Sequence, residues 1–225
     1  MNDYWNECWK EGHTPWSYEG SDDLGVKLLP QYLRKLSKAA TLPSTPLRAL
    51  VPLCGNSSVV RFLHEYGCDV TGIDLVTTPL RELKEDAFFE LSFKKEKRPS
   101  HTIWSAERLT LIEGDFFEVS LERSFDILYD RAALVAIDPE KRTQYASKLL
   151  SLLAPSGRLF LEFFDVGTFT TEKPPFPIER SVVRSLFGSL TESYFSAHPK
   201  KTAESPFQAS SEEEFLRCWA IFQKE

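Results

Sequence analysis

Four short stretches carry residue types able to do chemistry, and each falls where an apolar run ends. The first is Val51-Pro52-Leu53-Cys54-Gly55, where a single glycine follows a run of strand-forming residues. Asp74 stands 19 positions beyond Gly55 and closes the next apolar run. An acid about 20 positions past a glycine turn is placed to bond the hydroxyls of a ribose; an Asp at a strand end also serves as a helix cap. A single glycine does not satisfy the Gly-x-Gly-x-x-Gly pattern for a pyrophosphate, and no Gly-Lys-Ser/Thr follows it. Gly55 still lets the amino-acid part of a ligand lie close to the backbone, facing a helix that opens near Ser57.

Gly114-Asp115-Phe116-Phe117 is the third stretch. A carboxylate or amide beside an aromatic ring suits an adenine, one contact by hydrogen bonding and one by stacking; at least one of the two Phe residues belongs to the core. The fourth, Tyr129-Asp130-Arg131-Ala132-Ala133-Leu134, ends a strand on two opposite charges. Buried charges need partners, so Asp130 and Arg131 either pair with each other or meet a ligand, and the two roles are compatible. No Ser-His-Asp signature, nucleophile elbow or His-Glu-x-x-His sequence is present, and His13, His64, His101 and His198 are scattered. Missing hydrolase machinery matters little where a cofactor supplies the reactivity.

The elements that must position these residues follow an α/β rhythm. Strands are predicted at 47–53, 68–75, 109–113, 125–129 and 159–164, with late strands near 190–196 and 215–222. Helices are predicted at 22–36, at 57–66 with Gly67 ending it, from Thr77 with Pro79 in its first turn, after the Asp138 cap, and at 178–187. The segment 93–107 is polar and reads as irregular, and 41–46 as a linker. Strands alternating with helices imply a parallel sheet covered on both faces, and right-handed crossovers make it doubly wound. Ligands then bind beyond the carboxyl ends of the strands, where all four stretches lie.

The chain has 225 residues, 42% hydrophobic and 27% charged, and a formal net charge of −6. This fits one domain and argues against a nucleic-acid partner, which requires a basic stripe; the longest basic run, Lys94, Lys95, Lys97 and Arg98, reads as a solvated loop. Cys8, Cys54, Cys68 and Cys218 show no zinc-ligand spacing and are expected as reduced thiols, with no metal. No apolar run approaches the roughly 18 residues of a membrane span, and the first ten residues are no signal peptide. A cytoplasmic monomer without membrane contact is expected.

Together these motifs resemble the thiopurine S-methyltransferase family of class I methyltransferases that use S-adenosylmethionine. The likeness runs from Trp5-x-x-x-Trp9 with Gly12, Thr14 and Trp16, through Val51 to Gly55, to Asp130-Arg131-x-Ala133-Leu134-Val135-Ala136-Ile137-x-Pro139, and continues at Arg142, Tyr145, Leu152 and Leu153. The resemblance implies a Rossmann-like, mostly parallel seven-stranded sheet in one domain over 1–225: an N-terminal helical lid in 1–40, a cofactor core in 47–165, and a substrate loop with the last strands in 166–225. It implies that Trp5, Trp9 and Trp16 form the lid, that Leu53 meets the cofactor's amino-acid end, that Asp74 replaces the family's usual ribose-binding Glu, and that Asp115 and Phe116 lie at the adenine. Arg131 matches the family's functional arginine, assigned to both cofactor and acceptor, with Asp130 beside it; Tyr129 stands where a Trp often precedes the pair. The implied acceptor is a small thiol, selenol or related nucleophile. Such nucleophiles are strong near neutral pH, so a general base is optional, and the loop 165–177, with Phe163, Phe164 and Phe176, is the expected acceptor wall. The Glu11-Gly12-x-Thr14-Pro15-Trp16 segment also resembles methyltransferases acting on halide and thiol ions. Halide, thiocyanate or tellurite methylation, a non-catalytic adenosyl-binding module, and a nicotinamide-linked reductase (disfavoured by the single-glycine loop) are the alternatives.

Overall fold

Apolar runs and glycine turns set out the first half of the chain as the sequence suggests. In the computed structural model, residues 2–14, 16–17, 29–34, 46–165, 173–201 and 214–225 are described, and they fall into two compact units, Met1–Ser120 and Leu121–Glu225. In the first unit, helix α1 (Asn2–Glu11) precedes a helical segment at 29–34, here α2; the rest of the helix predicted at 22–36 lies outside the described residues. Strands β1 (Arg48–Pro52), β2 (Asp69–Asp74) and β5 (Leu109–Glu113) form a parallel set in the order β5-β2-β1. Their residues are buried almost without alternation, as in parallel strands covered on both faces.

Between β1 and β2 runs α3 (Ser58–Glu65). The Ser57 hydroxyl caps it by accepting the Val59 amide at 3.3 Å, and Val59, Val60 and Leu63 are its buried side. Gly67, at φ 95°, ends it, a backbone region open to glycine. Helix α4 (Thr77–Glu82) follows β2, with Pro79 in its first turn, and runs on as a wider π turn over Leu83–Ala87.

The segment read as irregular, 93–107, is instead a hairpin of β3 (Lys94–Lys97) and β4 (Thr102–Ala106), added antiparallel to the outer edge of β5. β3 is Lys-Lys-Glu-Lys and exposed throughout. That is the composition of a protected edge strand rather than of a core strand. Trp104 is the hairpin's buried residue, with the Lys84 and Lys95 ammonium groups 4.2 and 5.4 Å from its ring centre. This pair makes nine strands among the described residues where seven were expected.

In the second unit, β6 (Phe125–Arg131) and β7 (Leu153–Asp165) are parallel; β9 (Glu214–Gln223) and β8 (Thr191–Lys201) continue antiparallel, in the order β6-β7-β9-β8. Asp138 accepts the Glu140 amide at 3.0 Å and starts a short 3-10 turn at Pro139, which leads into α5 (Arg142–Leu152). Helix α6 (Arg180–Leu186) precedes β8. Tyr129 pairs with Phe160 across β6 and β7; the β9 partner of both Phe160 and Tyr194 is Ile221, and Trp219, two residues before Ile221 on the same face, completes a row of rings with successive centres 6.1, 5.8 and 5.6 Å apart.

Candidate functional site

The turn after β1 is held in an unusual conformation. Leu53 (φ 47°) and Gly55 (φ 52°) both take left-handed backbone, which is ordinary for glycine and rare for leucine. Strain of this kind clusters at ligand-binding turns. The Gly55 amide donates to Asp74 Oδ2 at 2.7 Å, and Asp74 Oδ1 accepts the Val76 amide at 2.9 Å. Asp74 therefore closes the β1 turn from the neighbouring strand while it also bonds the first turn of α4. Burial pushes its carboxyl up to about 6, against the amide hydrogen bonds that pull it down. Those two hydrogen bonds use only part of a carboxylate's roughly four acceptor sites, so hydroxyl donors can join them.

Over this turn lies the aromatic N-terminal segment. Trp9 is buried, and its Cζ2 would lie 3.2 Å from a Cβ added at Gly55. Trp16 meets both Trp5 and Trp9 edge-on, at 5.2 and 6.2 Å between ring centres. Ser17 Oγ donates to Asn56 Oδ1 at 3.2 Å, and Asn56 Nδ2 donates to Glu82 Oε2 at 2.9 Å. A polar relay thus ties the segment through the β1 turn to α4. Asn56 closes the stretch singled out from the sequence, whereas Glu82 was not singled out; it lies 26 positions away, beyond any local signal.

Asp115 turns back on its own loop, with Oδ1 accepting the Phe117 amide at 2.8 Å. Phe116 is buried and Phe117 half-buried. Eight of the residues singled out from the sequence (Trp5, Trp9, Trp16, Leu53, Gly55, Asp74, Asp115 and Phe116) thus lie in the first unit, at the lid segment, the β1 turn or the ends of β2 and β5.

Asp130 and Arg131 end β6 in the second unit. Asp130 is fully buried, and its carboxylate is held by the Ala133 and Leu134 amides, at 2.7 and 3.1 Å to Oδ1, and by the Tyr145 hydroxyl at 2.8 Å to Oδ2. Its partners are thus two amides and a phenol from α5, not the guanidinium next to it. Burial pushes its carboxyl up to about 7, with Glu162 adding to the rise and the three donors opposing it. Ala132, directly after the pair, is again left-handed (φ 56°). Arg131 is half-buried. Arg142 Nη2 donates to the Phe176 and Pro177 carbonyls at 2.9 and 3.2 Å, and the Phe176 amide donates to Val135 O at 2.6 Å. The described part of the predicted acceptor wall is therefore anchored to the turn after β6; residues 166–172 of that wall lie outside the described residues. Phe163 and Phe164 are both buried, whereas Phe176 is half-buried.

The sequence matches the family model for Thiopurine S-methyltransferase (TPMT) over residues 1–217. The chain belongs to that family. It is a methyltransferase, from a family whose methyl donor is S-adenosylmethionine. Thiopurine S-methyltransferase of Vibrio cholerae (strain O395) is 31% identical over 185 residues, 82% of this chain and 80% of that protein. The Nitrosospira multiformis protein of the same name is 30% identical over 201 residues, 84% of this chain and 82% of its own. Among solved structures, Burkholderia thailandensis 1,6-didemethyltoxoflavin-N1-methyltransferase, with S-adenosylhomocysteine bound, superposes at a TM-score of 0.66 with 16% identity, covering 99% of this chain and 86% of that one. N-methyltransferase NodS of Bradyrhizobium japonicum gives 0.63 with 16% identity, over 96% and 97%. These likenesses establish the α/β class I methyltransferase fold that the family resemblance implies. Tyr145 and Arg142, two of the residues that carry the family resemblance, hold Asp130 and the Phe176 loop respectively. Among the described residues, no helix is long and apolar enough to cross a membrane.

Proposed function

We propose that this TPMT-family protein moves the methyl group of S-adenosylmethionine to the sulfur, or selenium, of a small acceptor. Family membership supports the sulfur acceptor. The observation that carries the cofactor assignment is the Gly55 turn, where a side chain would strike Trp9 and the amide is committed to a buried, partly desolvated Asp74. This donor set fits the group: backbone without a side chain for the amino-acid end, a carboxylate for the ribose hydroxyls, and aromatic faces that tolerate a sulfonium charge. Gly55 and Leu53 would hold the amino-acid end, Asp74 the ribose, Asp115 and Phe116 the adenine side, with Trp5, Trp9 and Trp16 closing over them.

Bound there, the cofactor supplies a methyl group already activated by its sulfonium, so the protein's own residues need only bind, orient and keep water out. The tryptophan cluster excludes water. Arg131, on a turn fixed by Asp130, Ala133 and Leu134, stabilises the acceptor's negative charge; Asp130 acts by fixing that turn. Effective in-line transfer needs the reacting atoms held at about 3–3.5 Å, and the Arg142–Phe176 anchor is suited to that task. No dedicated base is required, since thiolates are populated near neutral pH. The working form is read as a cytoplasmic monomer, which a solution mass of one chain would check.

The test is S-adenosylhomocysteine release with a panel of 6-mercaptopurine, thiophenol, hydrogen sulfide, selenite with a reductant, and iodide. Turnover ranked with the aromatic thiols first supports the proposal. Turnover on iodide alone moves the chain to halide chemistry, and tight S-adenosylhomocysteine binding with silence on every acceptor removes the sulfur assignment.

A further inference from the structure

Ser17 fastens the tryptophan segment at a point outside the proposed cofactor contacts. Its amide donates to Thr14 O at 2.9 Å, and Trp16 sits inside the turn so closed. Trp16 in its turn meets Trp5 and Trp9 of α1 edge-on. Whatever holds Ser17 therefore helps to hold the tryptophan cluster over the Gly55 turn. That group is Asn56, whose Oδ1 accepts the Ser17 hydroxyl at 3.2 Å while its Nδ2 donates to Glu82 Oε2 at 2.9 Å.

The polarity of this relay dictates its residue types. A carboxylate only accepts, so Glu82 turns the Asn56 amide with its NH2 towards α4 and its oxygen towards the lid. Asparagine offers a donor and an acceptor at once; an aspartate there would set two carboxylates against each other. The base of the relay is firm, because Glu82 is the last residue of α4 and Asp74 holds the first turn of that helix through the Val76 amide. Asp74 also holds the Gly55 amide. Lid and cofactor turn are thus secured to one helix by different residues. Ser17, Asn56 and Glu82 are all half-buried, so water can take over each hydrogen bond when it opens, at modest net cost. Such a fastening can come apart and re-form without disturbing the core.

We propose that the Ser17–Asn56–Glu82 relay is the latch of the lid, and that Asn56 and Glu82 are positioning residues that set how long S-adenosylhomocysteine stays bound after transfer. They act through Ser17 and the Trp16 turn. With Trp9 packed on the Gly55 turn, a ligand lying there leaves when the lid lifts. This rests on the reading of the Gly55 turn as the cofactor site.

The relay can be broken and remade by exchanging its amide and its acid. Asn56→Asp opposes two carboxylates and speeds S-adenosylhomocysteine dissociation by about tenfold. In Asn56→Asp/Glu82→Gln the new amide donates to the new acid, which still accepts the Ser17 hydroxyl, and the total charge is that of wild type. Dissociation then returns to within about threefold of wild type. Ser17→Ala frees the lid end alone and speeds dissociation about three- to tenfold; added to Asn56→Asp it brings little more. Surface plasmon resonance reads the rates, and melting without ligand shows which variants are folded. A merely structural relay would lower the melting temperature and leave the dissociation rate where it was. Rates that stay flat across the series, or a double variant as fast as Asn56→Asp, overturn the proposal. If Asn56→Asp does not fold, Ser17→Ala and the amide–acid exchange decide the matter. A wild type that does not bind S-adenosylhomocysteine refutes the cofactor site and this inference with it; binding with an unmoved rate refutes only this inference.

Discussion

Asp74→Asn separates two jobs that the wild-type carboxylate does at once. In the wild type, Oδ2 holds the Gly55 amide at 2.7 Å and Oδ1 the Val76 amide at 2.9 Å. Asn keeps one acceptor oxygen and turns an NH2 towards the other amide. The loss of one such hydrogen bond costs about 1–3 kcal/mol. Against this stands the desolvation of the carboxylate, which burial raises from 3.8 to about 6. At about 1.4 kcal/mol per pKa unit, the ionised wild type bears a penalty of roughly 3 kcal/mol that the amide does not. The two nearly cancel at pH 8, and the melting temperature should move by no more than about 4 °C.

The sign with pH follows from the raised value. Between about pH 4 and pH 6 the folded wild type binds more protons at this site than the unfolded chain, so its contribution to stability falls as pH rises through that window. Asp74→Asn lacks this slope and should gain on the wild type from pH 5 to pH 8. Cofactor affinity behaves differently. The ribose hydroxyls lose a charged acceptor worth about 1.5–3 kcal/mol, or roughly 10- to 150-fold in Kd. Titration calorimetry with S-adenosylhomocysteine, alongside scanning calorimetry at pH 5 and pH 8, reads both quantities. A folded variant that binds S-adenosylhomocysteine within about threefold of wild type would refute the ribose assignment.

Three further outcomes are expected. Gly55→Ala places a Cβ 3.2 Å from Trp9 on left-handed backbone, so melting should fall by about 2–4 °C and S-adenosylhomocysteine should bind about tenfold more weakly; unchanged tryptophan emission together with unchanged affinity counts against the lid. Asp130→Asn can keep both amides on Oδ1 and point its NH2 at the Tyr145 oxygen, while removing a carboxylate that burial pushes up to about 7. Because wild-type stability drops as this group ionises from about pH 4 upward, the variant should melt about 2 °C or more above wild type at pH 8, and melting below it contradicts the burial argument. Arg142→Met releases the Phe176 and Pro177 carbonyls and should raise the acceptor KM by about 3- to 10-fold while leaving S-adenosylhomocysteine affinity intact; an affinity loss for the cofactor instead would place this anchor elsewhere in the cycle.

The β1–α3–β2 unit was legible in the sequence because strands buried on both faces read as continuous apolar runs and because Ser57 and Gly67 mark the ends of α3 chemically. The β3–β4 hairpin was not legible. Lys94–Lys97 shows no alternation, and its strand conformation comes from pairing with β4, a tertiary preference that overrides local propensity. β7 begins at Leu153 and passes Pro155 and Gly157, residues that locally signal a turn. Glu162 and Arg217 lie 55 positions apart, so no local pattern signals their pairing. Tyr145 was visible as one of the residues that carry the family resemblance, but its hydroxyl's partner, Asp130, was not.

Sequence also could not show that Leu53 and Ala132 are left-handed, since neither residue type favours that region. Each such residue costs about 1–3 kcal/mol and persists only where its surroundings over-determine it. At both turns the determining group is a buried carboxylate: Asp74 holds the Gly55 amide, and Asp130 holds those of Ala133 and Leu134. Two of the three acids that the sequence offers for ligand chemistry, Asp74 and Asp130, therefore first fix the strained turns on which the proposed cofactor and acceptor contacts sit. Their raised pKa values follow from the same burial. Ligand contact and turn geometry should then part company only in isosteric amide variants, where the turn keeps a hydrogen-bonding partner and the charge is lost; truncation to Ala at either site removes both and cannot tell them apart.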